Sequence, residues 1–272
     1  MGWVRLSFRL ALFSLFLAGT CLLAVGLSIA DRLRGTPIDR NPWATLCFRR
    51  ACQCLGWHIQ ISGPRPDGHA LYAANHISWS DIPVLGSVTP LRFLSKSEVG
   101  HWPVIGWLAR QAGTLFIKRG GGQARRIKAD MCQLLKAGES VMIFPEGTTS
   151  DGVAVLPMHG LMLSSARDAG VPIQPVTIGY RRQNRPDALA PFVGDDGFHH
   201  HLVKLLKQPP LHIEVLFHPA IDTDRTESMT ELTNRLHLTI SEGLRRIHAG
   251  EFDPDAQCPV RTVDGPELSR LP

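Results

Sequence analysis

The sequence predicts an α/β protein, a mostly parallel, twisted sheet flanked by helices, with an N-terminal membrane helix in front of it. Three observations predict it. Short apolar runs alternate with helix-length segments between residues 57 and 248, the pattern of strands joined by crossovers. Residues 10–30 carry no charged side chain. The 272-residue chain is 44% hydrophobic and 19% charged, enough apolar content to bury a core and too much for disorder.

The apolar segment comes first. As a helix it would span about 30 Å, the thickness of a bilayer core. A cleaved signal peptide would end at the small-x-small triplet Ser28-Ile29-Ala30, but the segment is longer than the usual apolar core of such a peptide. A lipoprotein box at Cys21 is disfavoured by Thr20 before it. A retained anchor fits better, either crossing the bilayer or lying in one leaflet. Arg32, Arg34, Arg40, Arg49 and Arg50 follow it against Arg5 and Arg9 before it, which keeps the downstream chain in the cytoplasm.

Residues 42–55 read as a helix with Pro42 in its first turn. Strands are expected at 57–61, 70–74, 91–94, 114–117, 140–144, 171–178 and 211–217, each a short apolar or alternating run. Helices are expected at 98–111, 123–137, 158–169 and 227–248; Ile127, Met131, Leu134 and Leu135 form one stripe of the second. Residues 181–210 read as a loop. The domains are then a membrane anchor at 1–34, an α/β domain at 35–250, and a polar, proline-containing tail at 251–272.

Composition excludes several function classes. The net charge of +5 favours anionic partners, but no basic run resembles a nucleic-acid arm, so none is expected as a partner. Six cysteines are too few for a disulfide scaffold, and Cys47, Cys52 and Cys54 lack a second ligand pair at zinc spacing. There is no G-x-S-x-G elbow, Walker A loop, H-E-x-x-H or G-x-G-x-x-G. Gly120-Gly121-Gly122 reads as a flexible link before a helix rather than a phosphate cradle. His199-His200-His201 reads as a solvated loop, because three consecutive histidines cannot face one ion on a regular element.

Asn75-His76-Ile77-Ser78-Trp79-Ser80-Asp81 follows a short strand, so His76 belongs at a strand's carboxyl end, where open α/β sheets bind ligands. Four intervening residues let Asp81 fold back onto Nδ1, leaving Nε2 as a base that can deprotonate a substrate hydroxyl. A helix-capping Asp81 beside a structural His76 is the competing reading. Phe144-Pro145-Glu146-Gly147-Thr148-Thr149-Ser150 also follows a buried strand, and its Pro and Gly force a turn that can expose Glu146 and the amides after it. Lys96, Lys118 and Arg119 lie where strands end, suited to an anion.

These residues resemble the glycerolipid acyltransferases typified by bacterial lysophosphatidate acyltransferase. The family's N-H-x-x-x-x-D, G-x-x-F-I-x-R, F-P-E-G-T-R-S and V-P-I-x-P-V blocks match, in order, residues 75–81, 113–119, 144–150 and 171–176. The resemblance covers residues 40–220 and implies the glycerolipid acyltransferase fold. It implies that His76 is the general base and Asp81 its orienting partner. The hydroxyl of a lysolipid then attacks the thioester of acyl-CoA or acyl-carrier protein directly, with no metal and no cofactor. Lys96 and Arg119 would hold the anionic head and Glu146 and Gly147 shape the acceptor side, with Asn75, Lys118, Thr148 and Thr149 completing the substrate-binding set.

The implied activity is acylation of 1-acyl-sn-glycerol-3-phosphate to phosphatidic acid at the inner (cytoplasmic) membrane, the catalytic domain facing the cytoplasm and membrane lipids as partners. Two departures bear on the acceptor. Thr149 replaces an arginine linked to acceptor phosphate binding, and Lys118 stands where an acidic or polar residue is common. The Glu146-Gly147-Thr148-Thr149-Ser150-Asp151-Gly152 version resembles the branch that includes lyso-ornithine lipid acyltransferases, which makes lyso-ornithine lipid or another lysophospholipid the alternative acceptor. An anchored lipid-binding protein without activity is the alternative of another class.

Overall fold

A computed structural model describes residues 2–65, 68–118, 122–182, 185–194, 197–223 and 226–252. In chain order the elements are α1 (Gly2–Arg34), α2 (Asn41–Leu55), β1 (Trp57–Ser62), β2 (Leu71–Ala74), α3 (Asp81–Val88), β3 (Arg92–Lys96), α4 (Ser97–Gly100), α5 (Pro103–Gln111), β4 (Leu115–Ile117), α6 (Ala124–Lys136), β5 (Val141–Ile143), α7 (Ser164–Ala169), β6 (Ile173–Arg182), β7 (Arg185–Pro186), α8 (Phe198–Lys207), β8 (Leu211–Phe217) and α9 (Met229–His248).

The sheet order is β1-β8-β6-β2-β5-β3-β4, with β7 paired to β6. Strands β6, β2, β5, β3 and β4 run parallel, while β8 is antiparallel to β6 and β1 parallel to β8. Period-2 alternation divides β2 between two apolar layers. Tyr72 and Ala74 pack with α2, α3 and α8, and Leu71 and Ala73 pack with α6, α7 and α9. On that second side α6 buries Ile127, Met131 and Leu135, and α9 opens with a capping box between Ser228 and Glu231.

Three expectations need correction. Residues 181–210 contain α8, which includes the three histidines; His201 is 3% exposed rather than solvated. Because α8 stays at the carboxyl end of β6 instead of crossing back over the sheet, β8 starts there and runs antiparallel. The helix expected at 158–169 is regular only over Ser164–Ala169. Phe252 is the last described residue, so the tail from 253 lies outside them.

Helix α1 is long and apolar enough to cross a membrane by length and composition. It is not detached from the domain. Arg5 donates to Lys207 O at 3.2 Å, Arg9 donates to Leu206 O and Gln208 O at 3.1 and 2.9 Å, and Ser28 at the other end donates to Gln111 at 3.3 Å. The two guanidiniums serve carbonyls at the end of α8, where a helix has no internal donors left. Phe8, Leu15, Leu22 and Ile29, spaced by seven, turn outward and are exposed or half-exposed.

Candidate active site

The carboxyl ends of the parallel strands share one edge, and the loops after β2 and β5 meet there. His76 Nδ1 lies 2.7 Å from Asp81 Oδ2. A carboxylate accepts only, so Nδ1 carries a proton, and Nε2 is the ring nitrogen available to act as a base. The imidazole is 18% exposed while Asp81 is fully buried. Asp81 begins α3, yet its Oδ2 accepts the backbone N–H groups of Ile77 and Ser78 at 2.7 and 3.0 Å, upstream of the helix. The carboxylate thus closes the loop on itself and orients the imidazole, rather than capping the helix.

The second loop grips the histidine from both sides. Glu146 Oε1 accepts the His76 N–H at 2.6 Å, and Ser150 N–H donates to the His76 carbonyl at 2.8 Å. Phe144 stacks on the imidazole with ring centroids 4.0 Å apart. The turn that makes this possible has Gly147 at φ +67°, with its N–H on Phe144 O at 2.9 Å.

Several expected substrate contacts are otherwise engaged. Glu146 is buried rather than exposed: its Oε2 accepts Leu156 N–H at 2.7 Å, so both oxygens serve backbone amides. Burial pushes its carboxyl above the usual range, partly offset by those two amides and His76. Asn75 is also buried, donating to Ile178 O at 2.9 Å and accepting Ile178 N–H at 2.8 Å, which ties the loop to β6. Thr149 donates to Phe192 O, while Phe192 N–H reaches Ile77 O at 3.0 Å. Thr148 is exposed beside half-exposed Gly147.

Lys96 and Lys118 are exposed at the ends of β3 and β4, where Lys96 pairs in register with Ile117. They sit on the same edge as Glu146, one and two strands beyond β5. Arg119 lies outside the described residues. Among the described residues no group of three or more His, Cys, Asp or Glu side chains is arranged to hold a metal ion.

Two features were not anticipated. Tyr180 on β6 donates to Asp81 Oδ1 and lies 2.8 Å from Ser80 Oγ. Trp79, inside the His76–Asp81 loop, donates its indole N–H to His201 Nδ1 at 3.0 Å, and His201 Nε2 bonds Pro191 O at 2.9 Å. Trp79 and Ile82 form part of the wall of an apolar cavity of about 420 Å3, lined also by Phe13 and Leu17 of α1, Trp43 of α2, Ile105 of α5 and Phe198 of α8. The only hint of that chamber in the sequence is the mixed apolar lining that any core shares.

Comparisons with known proteins identify the family and the fold. The family model described as Acyltransferase matches residues 58–179. The lyso-ornithine lipid O-acyltransferase of Pseudomonas aeruginosa is 43% identical over 241 residues, covering 85% of this chain and 93% of that protein. The 1-acyl-sn-glycerol-3-phosphate acyltransferase of Neisseria gonorrhoeae is 31% identical over 222 residues, covering 80% and 86%. The crystal structure of the 1-acyl-sn-glycerophosphate acyltransferase of Thermotoga maritima shares the fold, with a TM-score of 0.67 at 20% identity over 91% of this chain and 96% of that one. With relatives of this kind matched over most of their length, and a buried carboxylate steering a half-open imidazole between the two matching loops, this chain belongs to the glycerolipid acyltransferase family.

Proposed function

We propose that the protein is a lyso-ornithine lipid O-acyltransferase, acting on a lysolipid at the membrane surface. Family membership makes it an acyltransferase rather than an inactive lipid-binding protein; the acceptor is our reading. The observation that carries it is the likeness to the Pseudomonas aeruginosa enzyme, 43% over nearly the whole of that protein against 31% for the lysophosphatidate enzyme of Neisseria gonorrhoeae. Thr149 supports it. Where the lysophosphatidate pattern has an arginine, this chain has a hydroxyl turned onto the Phe192 carbonyl, and an ornithine head carries a carboxylate and an ammonium group rather than a phosphate dianion. The sequence alone favoured lysophosphatidate; the whole-length likeness is what supports putting lyso-ornithine lipid first.

In the proposed step, the acceptor hydroxyl lies against His76 Nε2, which takes its proton as the oxygen attacks the thioester carbonyl of acyl-CoA or acyl-carrier protein. The tetrahedral intermediate collapses with cleavage of the C–S bond, and the thiolate leaves with the proton carried by the imidazolium. Asp81 stabilises that imidazolium and fixes its tautomer. The side chains named supply all of this, and no cofactor enters the step. Lys96 and Lys118 supply cationic charge along the same sheet edge for an anionic group of either substrate, and Arg119 follows Lys118 in sequence. The apolar cavity receives an acyl chain, with α1 forming part of its wall and presenting its outward stripe to one face of the inner membrane, the domain in the cytoplasm.

Purified enzyme assayed with lyso-ornithine lipid and with lysophosphatidate, against acyl-CoA and acyl-carrier donors, tests the reading. We expect kcat/KM at least tenfold higher with lyso-ornithine lipid. Preference for lysophosphatidate would overturn it.

A further inference from the structure

Asp81 is a fully buried carboxylate, and among the described residues its only ion pair is with His76. Its charge is therefore held by hydrogen-bond donors. Oδ2 takes three: His76 Nδ1–H and the amides of Ile77 and Ser78. Oδ1 has one among the described residues, the Tyr180 hydroxyl. Because the carboxylate can only accept, the Tyr180 proton is committed to it. The 2.8 Å contact with Ser80 must then be donated by the serine, so the protons run in one direction, Ser80 to Tyr180 to Asp81.

The sheet register explains how a strand residue reaches the loop. Ala74, the last residue of β2, pairs with Val176, and β6 continues for six residues beyond that point. Val176, Ile178 and Tyr180 share one face by the two-residue period of a strand. Ile178 holds Asn75 at the start of the loop, and Tyr180 holds Asp81 at its end. The overhanging end of β6 thus clamps both ends of the segment that carries His76.

We propose that Tyr180 is a positioning residue for acyl transfer: it fixes the plane and the negative charge of Asp81 and so sets how strongly the carboxylate steers His76. This rests on the assignment of His76 as the base. Burial and the adjacent carboxylate push the phenol well above its ordinary range, so it stays a donor wherever the enzyme works. The other titratable groups facing this cluster are Glu146 from the β5 loop and Cys52 from α2. Removing the phenol oxygen leaves Oδ1 buried without a donor and makes the carboxylate more basic. A more basic carboxylate stabilises the imidazolium, so the base is lost to protonation at a higher pH.

Tyr180→Phe, which keeps the ring and removes only the hydroxyl, is the test, with Ser80→Ala as a second variant that weakens the same chain from its far end. In steady-state acyl transfer to lyso-ornithine lipid and to lysophosphatidate, we expect kcat for Tyr180→Phe to fall about tenfold or more. KM should stay within about twofold, and the acid limb of the kcat–pH profile should move to higher pH, with Ser80→Ala shifting it less in the same direction. Wild-type kcat and pH profile in Tyr180→Phe, or a raised KM at unchanged kcat, would overturn the proposal. So would loss of kcat with the acid limb unmoved, since a packing defect alone would do that. His76→Ala in the same assay separates the two readings: near-normal turnover there removes the base itself, whereas an inactive His76→Ala beside a normal Tyr180→Phe rejects only the role of Tyr180.

Discussion

Asp81→Asn should leave the loop's shape nearly intact while removing the charge behind His76. An asparagine keeps its oxygen where Oδ2 accepts Nδ1–H and the Ile77 and Ser78 amides, turns its NH2 toward Tyr180, and so lacks the negative charge that stabilises the imidazolium. We expect kcat to fall on the order of 10³-fold or more with unchanged circular dichroism. Glu146→Gln is a different kind of lesion. Glu146 receives two backbone N–H groups, from His76 and Leu156; a glutamine can accept only one and must turn an NH2 toward the other. The expected cost is about 1–3 kcal/mol, read as a lowered thermal midpoint together with reduced turnover.

Helix α1 owes part of its position to Arg9, a buried arginine just before its apolar run. Gly56 closes α2 at φ +73°, and a Cβ there would stand 2.4 Å from Arg9 Nη2. Gly56→Ala therefore combines backbone strain with a clash against the guanidinium that holds α8. We expect a loss of about 1–3 kcal/mol in denaturant unfolding, shared by Arg9→Ala and not additive with it. Ala109, on the α5 wall of the cavity, offers a different reading: Ala109→Trp should shift donor preference toward shorter acyl chains, measured across a chain-length series. These elements show what sequence could and could not reveal. The blocks around His76 and Phe144 were legible because chemistry fixes residue type and spacing. Helix α8 was not, since it is short, opens on a histidine run and is flanked by Gly197 and Pro209, and its orientation decided the antiparallel β8. The partners of Asn75 and Glu146 were equally hidden, because a polar residue in a motif looks the same whether it meets substrate or backbone. Tyr180 lies just past the last recognised block, and only the overhang of β6 brings it to Asp81.

The second helical layer carries its own titration. His218 is buried between β8 and α9, bonded to Thr177 at 2.8 Å, and burial, reinforced by Arg246, lowers its pKa from 6.5 to about 4. A folded pKa below the unfolded one means the unfolded chain binds the proton first. Its contribution is complete above pH 6.5 and is lost as pH falls toward 4, on the order of 3 kcal/mol in all. Urea midpoints across that window should fall for the wild type and fall less for His218→Gln. The active site lies at the carboxyl edge of the parallel strands: a half-open imidazole, a buried carboxylate and an apolar chamber joined by one loop. Acyl transfer by His76→Ala, with membrane binding and thermal midpoint measured alongside, addresses that arrangement most directly. We expect turnover reduced by at least about 10³-fold in a protein that still folds and binds membranes; a folded variant that acylates lysolipid near the wild-type rate would contradict the role of His76 as the base.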